Sequence, residues 1–587
     1  MGRNQSEGEN YVRSALIQHS PSLAVVSLTT MGEAVNLKRL FEIFKLKGLK
    51  DVVISPGSRN APIIEAFSSN DFYKTYSVID ERSAAFIALG ISQISRKATL
   101  LTCTSGTAGL NYSAALAEAF YQGVPLIALT ADRPKRWIDQ QEGQSIRQAG
   151  MFSNFVKGSF ELDQNLGDIE AHEHAVRVVN EAINLAHSGR PGPVHINIPL
   201  EEPLYGRKDS THPIRTISDH TTSSISEEQS AELKMIWHQA ERIMILVGQM
   251  HPEDSLQEAL IKLKETHPGI VILSESISNC YSKSFINCID RVIDGVQDNA
   301  SYRPELLITF GENLVSKKLK ALLRKQKAKW HWSVKQGDSM EDTFNALTHR
   351  IRVRESDMLD MMGQWLRKAD NAFDKHWAEL RQIRASKHSS FLENVEYSDF
   401  RILHEILSRV PENFMIQMGN STVVRYAQLF EEMRMNPQFS NRGTSGIDGC
   451  TSTAVGAAAK SSRPTLLISG DVAFQYDSNA FLNDLVPANL RVIVINNAGG
   501  NIFKIINGPE KLSQGRELLE TPNSYTAEAL SERAGLEYHS ARNSSELNSA
   551  LSTFFELGTE KARVLEVFSD SELSANILKS YFNHLKQ

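Results

Sequence analysis

Short apolar runs recur along this chain, separated by helix-length amphipathic segments. In the first third the runs are "DVVIS", "KATLLTCTS", "VPLIALTAD" and "GPVHINIPL". Between them stand "ERSAAFIALGISQIS" and "GLNYSAALAEAFYQG", with apolar residues at helical spacing. A strand wetted on one face alternates apolar and polar residues, whereas a run apolar throughout must be covered on both faces. Such runs alternating with helices predict parallel sheets with helices packed on both sides, the doubly wound α/β class.

At roughly 150 residues per domain, the 587 residues amount to about three or four domains. The pattern predicts three α/β units. Residues 31–205 form the first. Residues 206–229 are polar and rich in Ser and Thr, and read as a linker. Residues 230–365 form a central unit with strands "RIMILVG", "GIVILSES" and "ELLITFGEN". A long charged helical stretch starts near Met358, and residues 366–397 read as a helical connection. Residues 398–587 form the third unit, with strands "FMIQMG", "TLLIS", "RVIVIN" and "ARVLEVFS". The outer two units read as versions of one architecture. Residues 1–30 lack the pattern and read as a loose extension ahead of Met31. The histidines of "AHEHA" read as a helix surface.

A net charge of −6 gives no electrostatic case for nucleic acid as the main partner. The four cysteines, Cys103, Cys280, Cys288 and Cys450, form no CxxC pair. That argues against a zinc site or a disulfide framework and fits a reducing cytoplasm. No apolar run approaches the ~18 residues of a membrane span.

In open parallel sheets, ligands bind beyond the C-terminal ends of the strands. Here those ends carry "SPGSRN", "TSGTAG", "TADRP", "MGNS", "SGDVAF" and "NNAGGN". The last two place Asp471 and Asn497 just past successive strands. A carboxylate and carboxamide oxygens are hard donors that suit Mg²⁺ or Mn²⁺. The Gly499-Gly500 turn can add a backbone carbonyl and let a diphosphate come close. Gly-Asp and Asn-Asn-x-Gly-Gly are equally ordinary turn chemistry, so the residues alone leave both readings open. Neither G-x-x-x-x-G-K-[ST] nor G-x-G-x-x-G is present.

Gly-Asp after one strand and Asn-Asn after the next resembles the signature of the thiamine-diphosphate-dependent enzymes. Val472 stands where Gly is commoner in that signature. This departure resembles one branch, the synthases of 2-succinyl-5-enolpyruvyl-6-hydroxy-3-cyclohexene-1-carboxylate in menaquinone biosynthesis. The resemblance extends through "SPGSRNAPI", "DERSAAFIALG", "TSGTAG", "LTADRP", "GQSIRQAGMF", "GNSTVVR", "NRGTSGIDG" and "NNAGGNIF", in that order.

The resemblance implies a pyrimidine-binding first domain, a central domain and a diphosphate-binding third domain. It implies thiamine diphosphate and Mg²⁺ or Mn²⁺ as cofactors, with Asp471, Asn497 and the Gly499 carbonyl on the metal. Glu81 becomes the catalytic carboxylate that activates the cofactor. Read by itself, Glu81 is a helix N-terminal carboxylate favoured by the helix dipole. Ile447 becomes the apolar wedge under the cofactor, and Ile502 and Phe503 become walls beside the reacting centre.

The implied reaction decarboxylates 2-oxoglutarate and adds the four-carbon carbanion to isochorismate in a 1,4-addition. Both substrates are dicarboxylates, which the rigid guanidinium fork of Arg suits. Arg59, Arg133, Arg425 and Arg442 carry over as substrate-binding residues, with Ser58, Gln144, Ser421, Lys317 and Lys318. Gly143 stands where some relatives have Asn. A homodimer with shared active sites, and a homotetramer built from it, are also implied. The alternatives are another thiamine-diphosphate 2-oxo acid decarboxylase or carboligase, and a non-catalytic nucleotide-binding α/β protein.

Overall fold

The computed structural model describes residues 34–587 except 220–223, 297–298, 338, 368–370, 433–434 and 507. The proposed extension at residues 1–30 lies outside the described residues. Three parallel sheets form the frame. The first has strands β1 (Asp51–Ile54), β2 (Lys74–Ser77), β3 (Thr99–Cys103), β4 (Leu126–Asp132), β5 (Ser159–Glu161) and β6 (Val194–Pro199), in the order β2-β1-β3-β4-β6-β5. The central sheet has β7 (Ile243–Val247), β8 (Val271–Ser274), β9 (Leu306–Phe310), β10 (Trp330–Val334) and β11 (His349–Ile351), in the order β11-β10-β9-β7-β8. The third has β12 (Met415–Met418), β13 (Gln438–Ser440), β14 (Thr465–Gly470), β15 (Leu490–Asn496), β16 (Glu537–Ala541) and β17 (Arg563–Phe568). Its order, β13-β12-β14-β15-β17-β16, repeats that of the first sheet.

The inner strands β3, β4, β6 and β15 are buried at every position. Burial on both faces is the physical reason their sequences are continuously apolar. One hydrophobic cluster runs from Val53 and Leu101 through Phe86 and Ile91 to Val455, Leu467 and Val492. The first and third units therefore share a core. At its centre the helix Glu81–Ser95 crosses the helix Cys450–Lys460. A Cβ placed on Gly90 would lie 2.0 Å from the Thr453 carbonyl oxygen, and one on Gly456 would lie 2.0 Å from the Ile87 oxygen. Two glycines thus let the backbones touch and set the spacing of the two units.

Three details differ from the sequence reading. The charged stretch near Met358 is two helices, Glu355–Gln364 and Ala372–Glu393. The polar stretch after Gly206 packs along the first unit. Arg207 donates to the Pro203 carbonyl, and the Ile217 N–H donates to Asn180. This packing buries His172, whose ring lies 5.1 Å from that of His212. His172 is therefore a covered contact and no part of a helix surface. The four cysteines are buried and form no disulfide with one another. Among the described residues no helix is long and apolar enough to cross a membrane.

Candidate active site

The C-terminal ends of β12, β14 and β15 lie side by side in the third sheet. Gly470 of β14 pairs with Ile495 of β15, so Asp471 and Asn497 emerge from neighbouring strands, about 4.8 Å apart across the sheet. Asp471 opens the helix Asp471–Tyr476 and is 4 % exposed. Its carboxylate accepts the Gly499 and Val472 N–H groups and the Asn523 amide. Burial nevertheless pushes its pKa up to about 6. A cation bound beside it would favour the ionised form.

The Asn497 Nδ2 donates to Asp399 Oδ2 at 2.9 Å. The Asn497 Oδ1 is buried and has no hydrogen-bond partner. The Gly499 carbonyl accepts the Asn501 N–H at 3.0 Å and keeps its second lone pair. Gly499 has φ +145°, and a Cβ there would lie 2.6 Å from the Glu520 carbonyl oxygen. Only glycine fits that turn. A carboxylate, an orphaned carboxamide oxygen and a peptide carbonyl form a donor set that fits a small hard dication with diphosphate completing its shell. Among the described residues no group of three or more His, Cys, Asp or Glu could hold a metal.

Glu81 begins its helix four residues past β2 and is half-buried. Burial raises its carboxyl, its own N–H opposes that, and Asp80 adds to it. Among the described residues it makes no ion pair. Asp80 caps the helix through the Arg82 and Ser83 N–H groups. The Asn479 amide holds Asp80, and Arg82 donates to the Tyr476 carbonyl. The start of this helix is therefore tied to the segment following Asp471.

The arginines divide into two groups. Arg425 donates to the Ser421 carbonyl at 2.7 Å, and Arg442 donates to the Asn420 side chain at 2.9 Å. Arg442 is 8 % exposed, and neither makes an ion pair among the described residues. Burial lowers the pKa of both, and Arg425 adds to the effect on Arg442. Asp290 offsets part of this at Arg425, and Glu275 and Glu118 part of it at Arg442, but no carboxylate is bonded to either guanidinium among the described residues, so the pair can take an anion. Ser421 holds φ +74° beside them.

Arg59 is buried and bound to the Leu200 carbonyl and to exposed Glu202. Its charge and that of Arg133 repel. Arg133 donates to the Gly143 carbonyl at 3.1 Å. Ser58 and Gln144 are exposed at this end of the first sheet. Ile447, Ile502 and Phe503 are half-buried. Lys317 is exposed, but Lys318 is paired with Asp294 and lies 3.2 Å over the Phe582 ring. Lys320, which the sequence reading missed, stands on the same helix, Lys317–Lys325, near enough to Glu275 and Arg442 to sense both charges.

Glu118 was missed as well. It is 1 % exposed and accepts the Gly443 and Thr444 N–H groups at 2.7 and 2.6 Å. It thereby anchors, from the first unit, the loop carrying Arg442 and Ile447. Its one signal in the sequence is a lone charge amid the alanines of "SAALAEAFYQ". Asp399 gave no signal beyond a helix start.

Residues 37–151 match the model of the thiamine pyrophosphate enzyme N-terminal TPP-binding domain. Residues 210–416 match the middle domain of thiamine pyrophosphate enzymes. A 2-succinyl-5-enolpyruvyl-6-hydroxy-3-cyclohexene-1-carboxylate synthase of Flavobacterium johnsoniae is 40 % identical over 556 residues, 93 % of this chain and 98 % of that protein. The chain belongs to this synthase family. Synthases of the same name from Porphyromonas gingivalis and Cytophaga hutchinsonii are 39 % and 36 % identical, each over 93 % of this chain and over 96 % and 98 % of their own lengths. The synthase family uses thiamine diphosphate, and the corner beyond β14 and β15 has the donors to hold its diphosphate through a metal.

Proposed function

We propose that this chain decarboxylates 2-oxoglutarate and joins the four-carbon unit to isochorismate by 1,4-addition, in menaquinone biosynthesis. The observation that carries the substrate reading is the Arg425–Arg442 pair beside the strand ends, one half-buried and one buried, with no ion pair to either among the described residues. A dicarboxylic substrate supplies what that pair lacks. The relatives' printed name supports the same product.

Asp471, the Asn497 Oδ1 and the Gly499 carbonyl hold Mg²⁺ or Mn²⁺. Bound thiamine diphosphate supplies the electron sink for decarboxylation. Glu81 would hold a proton for the pyrimidine, and the burial that raises its pKa favours the protonated form. Ile447 would pack against the bound cofactor, and Ile502 and Phe503 would exclude water from the reacting centre. Arg425, Arg442, Ser421 and Lys317 bind carboxylates from the third and central units. Ser58, Arg59, Arg133 and Gln144 bind from the first. The Lys318 ammonium is already occupied by Asp294, so of the two lysines Lys317 is the one assigned to the substrate. The working unit is a homodimer with shared sites, doubled to a homotetramer. Four buried cysteines that form no disulfide support a cytoplasmic setting.

The test is incubation with 2-oxoglutarate, isochorismate, thiamine diphosphate and Mg²⁺, followed by mass measurement. The expected product is isochorismate plus the four-carbon unit, with one CO₂ released per addition. Release of CO₂ without that adduct would favour a simple 2-oxo acid decarboxylase.

A further inference from the structure

Asp399 is 1 % exposed and makes no ion pair among the described residues. Neutral donors satisfy it instead. The Ser569 hydroxyl donates to Oδ1 at 2.5 Å. The amides of Asn497 and Asn501 both donate to Oδ2, at 2.9 and 3.1 Å. Its own backbone N–H donates to the Ser574 hydroxyl at 3.0 Å.

This arrangement dictates which end of each carboxamide faces outward. A carboxylate accepts only, so each amide must turn its nitrogen inward; the opposite orientation would set oxygen against oxygen. Both Oδ1 atoms then point away from Asp399. Both are buried, and neither has a hydrogen-bond partner. Asn497 and Asn501 flank the Gly499-Gly500 turn, whose Gly499 N–H binds Asp471. Two orphaned hard oxygens flanking a turn that is itself bonded to the Asp471 carboxylate call for a donor or a cation from outside the chain.

We propose that Asp399 is a positioning residue that locks Asn497 and Asn501 with both carboxamide oxygens presented to the metal–diphosphate corner, and that Asn501 is a second carboxamide donor there. This rests on the cofactor site described above and adds to it a residue on the far side of the ligands. An outer partner of this kind removes the wrong rotamer before the ligand arrives. Losing one typically costs about 10–100-fold in metal affinity.

The experiment titrates Mg²⁺ into apo-protein at saturating thiamine diphosphate, following tryptophan fluorescence. Mn²⁺ paramagnetic resonance serves as a second readout, and apo-protein melting is measured in parallel. Asp399→Asn no longer distinguishes the two ends of the facing amides. It is expected to weaken Mg²⁺ about 10–100-fold, with excess Mg²⁺ restoring thiamine diphosphate binding. Asn501→Ala is expected to weaken Mg²⁺ and to alter the Mn²⁺ spectrum. A lower apo melting temperature with an unmoved Mg²⁺ midpoint would make Asp399 merely structural and overturn the proposal. Should Asp399→Asn fail to fold, Asn501→Ala and Ser569→Ala decide it, and wild-type Mg²⁺ affinity in both overturns it. Wild-type protein that binds thiamine diphosphate without any divalent ion would instead overturn the metal corner itself.

Discussion

Gly90→Ala tests whether the contact between two helices sets the geometry of the whole site. The added Cβ would lie 2.0 Å from the Thr453 oxygen and 2.8 Å from the Ala457 nitrogen. Both are backbone atoms, so no side chain can swing aside. Non-bonded heavy atoms settle near ~3.5 Å, so the helices must part by roughly 1.5 Å. Overpacking of this kind costs about 1–3 kcal/mol, and a backbone obstacle favours the upper end. The helix itself gains about 1 kcal/mol from replacing glycine with alanine, so the clash wins. Glu81 begins the same helix, and a misplacement of about 1 Å can cost roughly 100-fold in rate. Melting of the apo-protein and turnover with saturating cofactor are the assays. Gly456→Ala, whose Cβ meets the Ile87 oxygen at 2.0 Å, is the matched variant. Wild-type melting and turnover in both variants would refute the claim that backbone contact sets the spacing.

Glu81→Gln is expected to lower turnover about 10²–10⁴-fold while Mg²⁺-dependent cofactor binding stays near wild type; normal turnover would remove Glu81 from the mechanism. Arg425→Ala is expected to raise KM for 2-oxoglutarate about 10–100-fold, since a hydrogen bond to a charged group contributes about 1.5–3 kcal/mol, with little change in cofactor affinity. Equal losses in both would point to a structural role for Arg425. His195 is buried between the Thr130 and Ser159 hydroxyls, and burial pushes its pKa down to about 3 from 6.5. The unfolded chain therefore takes up this proton first, and stability falls as pH drops from about 6.5 toward 3, with a slope approaching ~1.4 kcal/mol per unit. Urea unfolding of wild type and His195→Gln across that window checks the sign, and an unchanged slope in the variant would show that His195 does not supply it.

The inner strands were legible because both faces of a central parallel strand are buried, so "TLLIS" and "RVIVI" are apolar throughout. The strands the sequence reading missed are mostly at edges. β2 is "KTYS" with three exposed positions, and β5 and β11 are three residues long. β13 and β16 are the edges of the third sheet. Edge strands are short and polar, which keeps them from pairing with other chains. β10 is internal, but "WHWSV" interrupts its apolar run with His331 and Ser333.

The same division applies to the site. Local sequence determined which groups stand at the predicted strand ends, because strand, turn and helix start are properties of neighbouring residues: Asp471, Asn497, Gly499 and Arg425 could be picked out there, while Glu81 and Arg442 follow strands the sequence reading missed and entered through the family resemblance. Tertiary structure alone decided which oxygens lack partners and which charges lack counter-ions. Asp399 lies 98 positions from the Asn497 it orients, and Glu118 lies 325 positions from the Gly443 it holds. Lys317, Lys318 and Lys320 share one helix, yet only packing assigns Lys318 to Asp294 and Lys320 to the neighbourhood of Arg442. Burial and hydrogen bonding are set by what the fold brings alongside, and no spacing along the chain encodes that.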